Sequence, residues 1–180
     1  MTSSPFTAVY DACVLYPAPL RDFLMWLALS GCFRARWSVD IHDEWKRNLL
    51  RNRADLTAAQ LDRTASLMDR AIPDALVTGY EALIGGLTLP DANDRHVIVT
   101  FNQKDFPEEV LSIYGVEAQH PDVFVDNLFD LEPAAVVAAA RRQRETLKHP
   151  PMIVERYLEI LQRLGMVQTC KALEAYRTII

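Results

Sequence analysis

Apolar and polar residues follow two patterns along the chain, one typical of strands and the other typical of helices. Short runs of β-branched and aromatic residues have the composition of buried strands, and they occur at residues 6–11, 33–37, 98–101 and 116–119. Between these runs, apolar residues recur with helical spacing, as in Ile41, Trp45 and Leu49. Strands that alternate with helices predict an α/β fold with a mostly parallel central sheet flanked by helices.

Local signals mark where the helices of this first part begin and end. An apolar segment at residues 20–29 predicts a buried helix. Ser38 is the predicted N-cap of a helix over residues 39–51, and Thr57 is the predicted N-cap of a helix that ends before Pro73.

The chain is predicted to be wholly helical from Pro121 onward. We therefore divide it into an α/β domain, residues 1–130, and a C-terminal helical extension, residues 131–180. The apolar stripes of the helices after Pro133 exceed what a small sheet needs to cover it, which predicts a surface shared with another protein, such as a homodimer.

Composition indicates an ordinary globular protein. Hydrophobic residues make up 50% and charged residues 24% of the chain. Without an apolar run of about 18 residues or a signal peptide we expect a cytoplasmic protein that does not enter membranes. Three widely spaced cysteines and four scattered histidines support neither a disulfide framework nor a zinc site. The net charge of −5 argues against nonspecific nucleic-acid binding but permits a local basic patch.

Three carboxylates lie close together in the stretch at residues 89–106. A helix that begins at Asp91 places Asp91 and Asp94 one turn apart on the same face. Asp105 follows the strand at residues 98–101, at the sheet edge where open α/β sheets bind ligands. Several oxygen donors at one place suit Mg²⁺ or Mn²⁺. The alternative is that Asp91 is only an N-cap and that Asp94 only complements the helix dipole.

Two further acids fall at comparable positions. Asp11 ends the first predicted strand, although an Asp there can also cap the following turn. Glu44 lies at the margin of the buried stripe of its helix and can face a cleft, whereas Asp40 and Asp43 are predicted to be solvated.

Four motifs in order resemble the PIN-domain nuclease family, and most closely its bacterial VapC-like toxin branch. They lie at residues 10–17, 37–45, 89–97 and 99–107. The resemblance implies a PIN-like fold and a metal-dependent endoribonuclease that uses Mg²⁺ or Mn²⁺, with RNA as substrate, an antitoxin as partner and a tendency to dimerise. It implies an acidic quartet with Asp91 as a supporting metal ligand; the quartet consists of Asp11, Glu44, Asp94 and Asp105. Cys13 stands where many relatives have Asn.

Other functions share these residues. A non-catalytic PIN-like interaction protein, a phosphatase or a DNA nuclease would contain the same carboxylates.

A helix from Asp91 to Val97 would run directly into a strand that begins at Ile98. Such a cramped junction predicts a segment missing from the chain, or a strand exchanged between protomers.

Overall fold

A computed structural model describes residues 6–79 and 96–180. The candidate ligands Asp91 and Asp94, and the helix predicted to begin at Asp91, lie outside the described residues. Within the described part, no helix is long and apolar enough to cross a membrane.

Within residues 6–79 and 96–180, five parallel strands form the central sheet in the order β3-β2-β1-β4-β5. The first strand therefore lies in the middle, where Thr7 pairs with Arg34 on one side and with His96 on the other. This arrangement confirms the predicted α/β class with a parallel sheet. The strands are β1 Thr7–Tyr10, β2 Arg34–Ser38, β3 Leu76–Val77, β4 His96–Val99 and β5 Val116–Gln119.

Helices form the described connections between strands, and they also form the C-terminal part of the chain. After β1 come α1 Ala12–Leu15 and α2 Ala18–Ala28, and after β2 come α3 Val39–Asn52 and α4 Ala58–Ala71. A 3₁₀ turn, Gln103–Asp105, follows β4 and is succeeded by α5 Glu108–Leu111. Beyond β5 the chain forms α6 Pro121–Leu131, α7 Pro133–Thr146, α8 Val154–Arg163 and α9 Val167–Glu174.

The predicted helix caps are present. The Ser38 hydroxyl accepts a hydrogen bond from the Ile41 amide at 3.2 Å. Thr57 and Gln60 exchange side-chain and backbone hydrogen bonds in a capping box. Both caps use donors and acceptors within one helical turn, which is why short sequence signals sufficed to find them.

The fourth strand begins two residues earlier than predicted, and this corrects the interpretation of the junction at Val97 and Ile98. His96 pairs with Thr7 and with Val116, and Val97 pairs with Ala8 and Glu117. A helix through Val97 would leave central ladder positions without backbone partners, so the β-branched run stays extended from His96. The position at Val97 and Ile98 therefore lies inside a strand. Residues 80–95 lie outside the described part, so the missing or exchanged segment stays a prediction.

An aromatic cluster joins the sheet to the C-terminal helices. Phe124 of α6 packs edge-on against Phe33, with ring centroids 5.2 Å apart, and against Tyr10 at 6.5 Å. Tyr10 also stacks on Trp37, and its hydroxyl donates to the Leu24 carbonyl at 2.9 Å. The central strand, α2 and α6 therefore share one core.

Hydrogen bonds from polar side chains attach the last helices to this core. Asp122 accepts hydrogen bonds from the Gln168 and Thr169 amides, both at 2.9 Å, and caps α9. Gln143 donates to the Pro19 carbonyl at 2.8 Å and accepts from the Tyr157 hydroxyl at 2.8 Å. These bonds link α6 to α9, and α7 to both α2 and α8.

The apolar stripes of the C-terminal helices are largely covered within the chain. Val136 and Ala140 of α7, Leu161 of α8 and Leu173 of α9 are at most 1% exposed. They belong to the same core cluster as the residues of α2. These stripe residues are buried against α2 and α6, so they do not form a surface shared with a second protein, and the homodimer stays a prediction.

Candidate functional site

Asp11 stands at the carboxyl end of the central strand. Its amide donates to the Val99 carbonyl at 3.1 Å, which extends the pairing between β1 and β4 by one bond. Its Oδ1 accepts from the Ala12 amide at 2.8 Å, so Asp11 is also the N-cap of α1. The capping role that the sequence left open is present, and it occupies one of the two carboxylate oxygens.

The other carboxylate oxygen is held by two side chains. Oδ2 of Asp11 accepts from the Thr100 hydroxyl at 2.8 Å and from the Cys13 thiol at 3.1 Å. Each donor is itself anchored by a backbone amide of the loop after β4: Asn102 donates to Thr100 Oγ1 at 2.9 Å, and Phe101 donates to Cys13 Sγ at 3.3 Å. Two short chains of hydrogen bonds thus fix the carboxylate to that loop.

Cys13 is suited to the role of donor. Burial raises the pKa of its thiol, and the hydrogen bond to Asp11 acts in the same direction, against the lowering effects of Thr100 and the Phe101 amide. The thiol therefore stays protonated at neutral pH and donates its proton to the carboxylate. From the sequence, Cys13 is only a departure from the Asn of related chains. Thr100 lies 89 residues from Asp11, so no local signal indicates their contact.

The donor set at Asp11 fits a hard cation in its chemistry. A carboxylate has about four lone-pair positions, and the three hydrogen bonds leave one of them open on Oδ1. A carboxylate oxygen held rigidly at the carboxyl edge of a parallel sheet is a ligand that Mg²⁺ and Mn²⁺ favour.

The other predicted acids that the structure describes are exposed at the surface. Glu44 is exposed on α3, and Asp105 is exposed in the 3₁₀ turn that follows β4. The Asp105 amide donates to the Asn102 carbonyl at 3.0 Å, which ties that turn to the loop that holds Asp11. Among residues 6–79 and 96–180, no three His, Cys, Asp or Glu side chains lie close enough to hold a metal ion. The roles of Glu44 and Asp105 stay predictions.

A buried polar cluster beside β2 was not predicted. His42, one of the four scattered histidines, is only 4% exposed. Its Nδ1 accepts from the Trp45 indole at 3.0 Å, and its Nε2 lies 3.0 Å from Asp69 Oδ1, which also accepts from the Trp37 indole at 2.8 Å. An indole nitrogen can only donate. With Nδ1 accepting, Nε2 is the ring nitrogen that donates to Asp69, and His42 joins β2, α3 and α4.

The sheet order, the acid that ends the central strand and the C-terminal helices together define a PIN-like α/β protein. The VapC50 C-terminal domain family matches residues 121–175, which begin with α6 and end just after α9. VapC50 of Mycobacterium tuberculosis, which is provisionally named as a ribonuclease, is 31% identical over 111 residues. The alignment covers 53% of this chain and 65% of that protein, just under two-thirds of its length. No solved structure matches the chain.

These two matches confirm the resemblance inferred from the four motifs. Over these regions the chain is similar to VapC-type proteins of the PIN-domain family.

Proposed function

We propose that this protein is a metal-dependent endoribonuclease and the toxin component of a toxin–antitoxin pair. The observation that best supports this proposal is the Asp11 carboxylate, which three hydrogen bonds hold at the carboxyl end of the central strand. The similarity to VapC50, provisionally named as a ribonuclease, supports RNA as the substrate.

The residues that would hold Mg²⁺ or Mn²⁺ are the predicted quartet, with Asp91 in support. Bound divalent ions would supply an activated water and stabilise charge on the leaving oxygen. The chain itself positions Asp11: Thr100 and Cys13 prevent its carboxylate from rotating. No nucleophilic Ser, Cys or His is needed in such a mechanism, and the Cys13 thiol stays protonated as a donor.

The proposed partners follow from the same site. An antitoxin segment that presents Arg or Lys to the carboxylates would neutralise them and block access for RNA. A homodimer remains part of the proposal, and light scattering at high micromolar concentration tests it directly. We place the protein in the cytoplasm.

The alternative is a non-catalytic PIN-like interaction protein with an impaired metal site. It is favoured by one observation, namely that Asp11 already serves as the N-cap of α1 while Glu44 and Asp105 are exposed. Calorimetric titration with Mn²⁺ separates the two functions. Binding that Asp11→Asn abolishes supports the nuclease, and an absence of binding supports the alternative.

Cleavage of defined RNAs with Mg²⁺ or Mn²⁺ is the direct test. Asp11→Asn and Asp94→Asn should each reduce cleavage by at least about a hundredfold, because each removes a charged ligand. The matched control is Asp43→Asn. Asp43 is an exposed acid on the same helix as Glu44 and pairs with Lys46 at the surface. Wild-type cleavage in both Asp11→Asn and Asp94→Asn would exclude the proposed mechanism.

A further inference from the structure

Trp26 differs from the other two tryptophans, all three of which lie within the described residues. Trp37 and Trp45 are 1% and 0% exposed and belong to the core, whereas Trp26 on α2 is only half-buried. Its side chain lines an open surface cavity of about 660 Å³ between α2 and the C-terminal end of α7. The cavity is completed by Arg142, Glu145, Thr146 and Lys148.

The charges at this cavity are predominantly positive. Glu145 is held by Arg141, whose Nε lies 2.8 Å from Glu145 Oε1, and this hydrogen bond lowers the pKa of the Glu145 carboxyl. Within the described part of the chain, no ion pair includes Arg142 or Lys148. Asp22 lies one turn before Trp26 on α2 but does not line the cavity. Two cations thus flank the indole on a chain whose net charge is −5.

We propose that this cavity is a second binding surface for single-stranded RNA, distinct from the sheet edge at Asp11. The proposal rests on the ribonuclease function proposed above. An aromatic face accepts a stacked base of any sequence, and neighbouring Arg and Lys side chains bind the adjoining phosphates. An acidic protein segment would use the two cations but would gain little from the partly exposed indole of Trp26, so the surface favours RNA.

Trp26 lies on α2, which follows Asp11 and α1 in the chain. From Ala18, where α2 begins, to Trp26 the helix advances by about 12 Å. Single-stranded binding surfaces commonly cover about 4–16 nucleotides. A surface of that size at Trp26 would increase the affinity for longer RNAs.

Quenching of intrinsic tryptophan fluorescence reports on Trp26, because Trp37 and Trp45 are buried and a bound base cannot contact them. A single-stranded RNA of about 12 nucleotides is titrated into the protein in EDTA, so that no metal-dependent cleavage occurs. We expect saturable quenching, and we expect Trp26→Phe to abolish the quenching while affinity, measured with labelled RNA, stays within about threefold. Trp26→Ala should weaken binding by about fivefold or more, because it removes the stacking surface.

The charged positions supply a test with little risk to folding. Arg142→Glu combined with Lys148→Glu should weaken RNA binding by about tenfold or more and make the salt dependence shallower. The matched control is Arg163→Glu combined with Lys171→Glu, which introduces the same charge change on α8 and α9 away from the cavity. Equal weakening by both pairs would overturn the proposal, as would unchanged affinity in the cavity pair.

Two further outcomes separate this surface from its alternatives. Polyglutamate that displaces the RNA with equal affinity would show a surface for acidic protein segments and would overturn the assignment to RNA. RNA binding that depends on Arg142 and Lys148 in EDTA supports the surface even if no cleavage occurs with Mg²⁺ or Mn²⁺. Failure of the ribonuclease proposal and failure of this inference are therefore distinguishable.

Discussion

At the scale of single residues, Cys13 is the side chain whose contribution is easiest to isolate. It donates to Asp11 and accepts from the Phe101 amide. Cys13→Ala should lower the free energy of unfolding by about 1–3 kcal/mol, because the partly buried Asp11 carboxylate and Phe101 amide each lose a hydrogen-bond partner. It should also weaken Mn²⁺ binding, whereas Cys13→Ser should restore part of both. Urea denaturation and calorimetric titration measure the two effects, with Cys32→Ala as the control.

The same residue predicts a pH dependence. Burial raises the pKa of Cys13 in the folded protein, so above the ordinary value of 9.0 the unfolded chain loses the thiol proton first. The folded state then binds more protons than the unfolded state, and stability falls as pH rises through this window. Cys13→Ala should lose less stability than the wild type when pH is raised above 9.0. An identical decline in both proteins would contradict the prediction.

At the scale of elements, Asp122 determines how α9 attaches to α6. Its carboxylate accepts from two amides and from the Thr169 hydroxyl at 2.8 Å, and the residue is 7% exposed. Asp122→Ala should lower the free energy of unfolding by about 2–4 kcal/mol, because it removes a cap and leaves buried donors unsatisfied. Hydrogen exchange should become faster in α9 but not in α3.

The control for this prediction lies on the same helix. Asp130 is exposed on α6, and Asp130→Ala should change stability by less than about 0.5 kcal/mol. If both substitutions have the same small effect, Asp122 does not hold the two helices together.

At the scale of the whole molecule, divalent ions should stabilise the folded protein. A ligand that binds only the folded state adds about 2.7 kcal/mol at a hundredfold excess over its dissociation constant. We expect Mn²⁺ to raise the melting temperature of the wild type but not that of Asp11→Asn. Without metal, Asp11→Asn should be less stable than the wild type, because three donors bind the Asp11 carboxylate. Scanning calorimetry with and without EDTA tests both expectations, and Asp43→Asn serves as the control.

The sequence alone was sufficient for features that depend on neighbouring residues. The caps at Ser38 and Thr57, and the strand ended by Asp11, follow from side chains within one turn or one strand of each other. The order of the four motifs also indicated the VapC-like branch, since each motif combines residue types over a short span.

Only the tertiary structure decided features that depend on distant parts of the chain. The helix predicted to begin at Asp91 was extended to Val97, but pairing with β1 and β5 makes Val97 part of a strand. The partners of the Asp11 carboxylate, the proton position on His42 and the burial of the C-terminal stripes depend in the same way on segments brought together by folding. Hydrogen bonds and apolar contacts act over a few ångströms in space, whatever the separation along the chain.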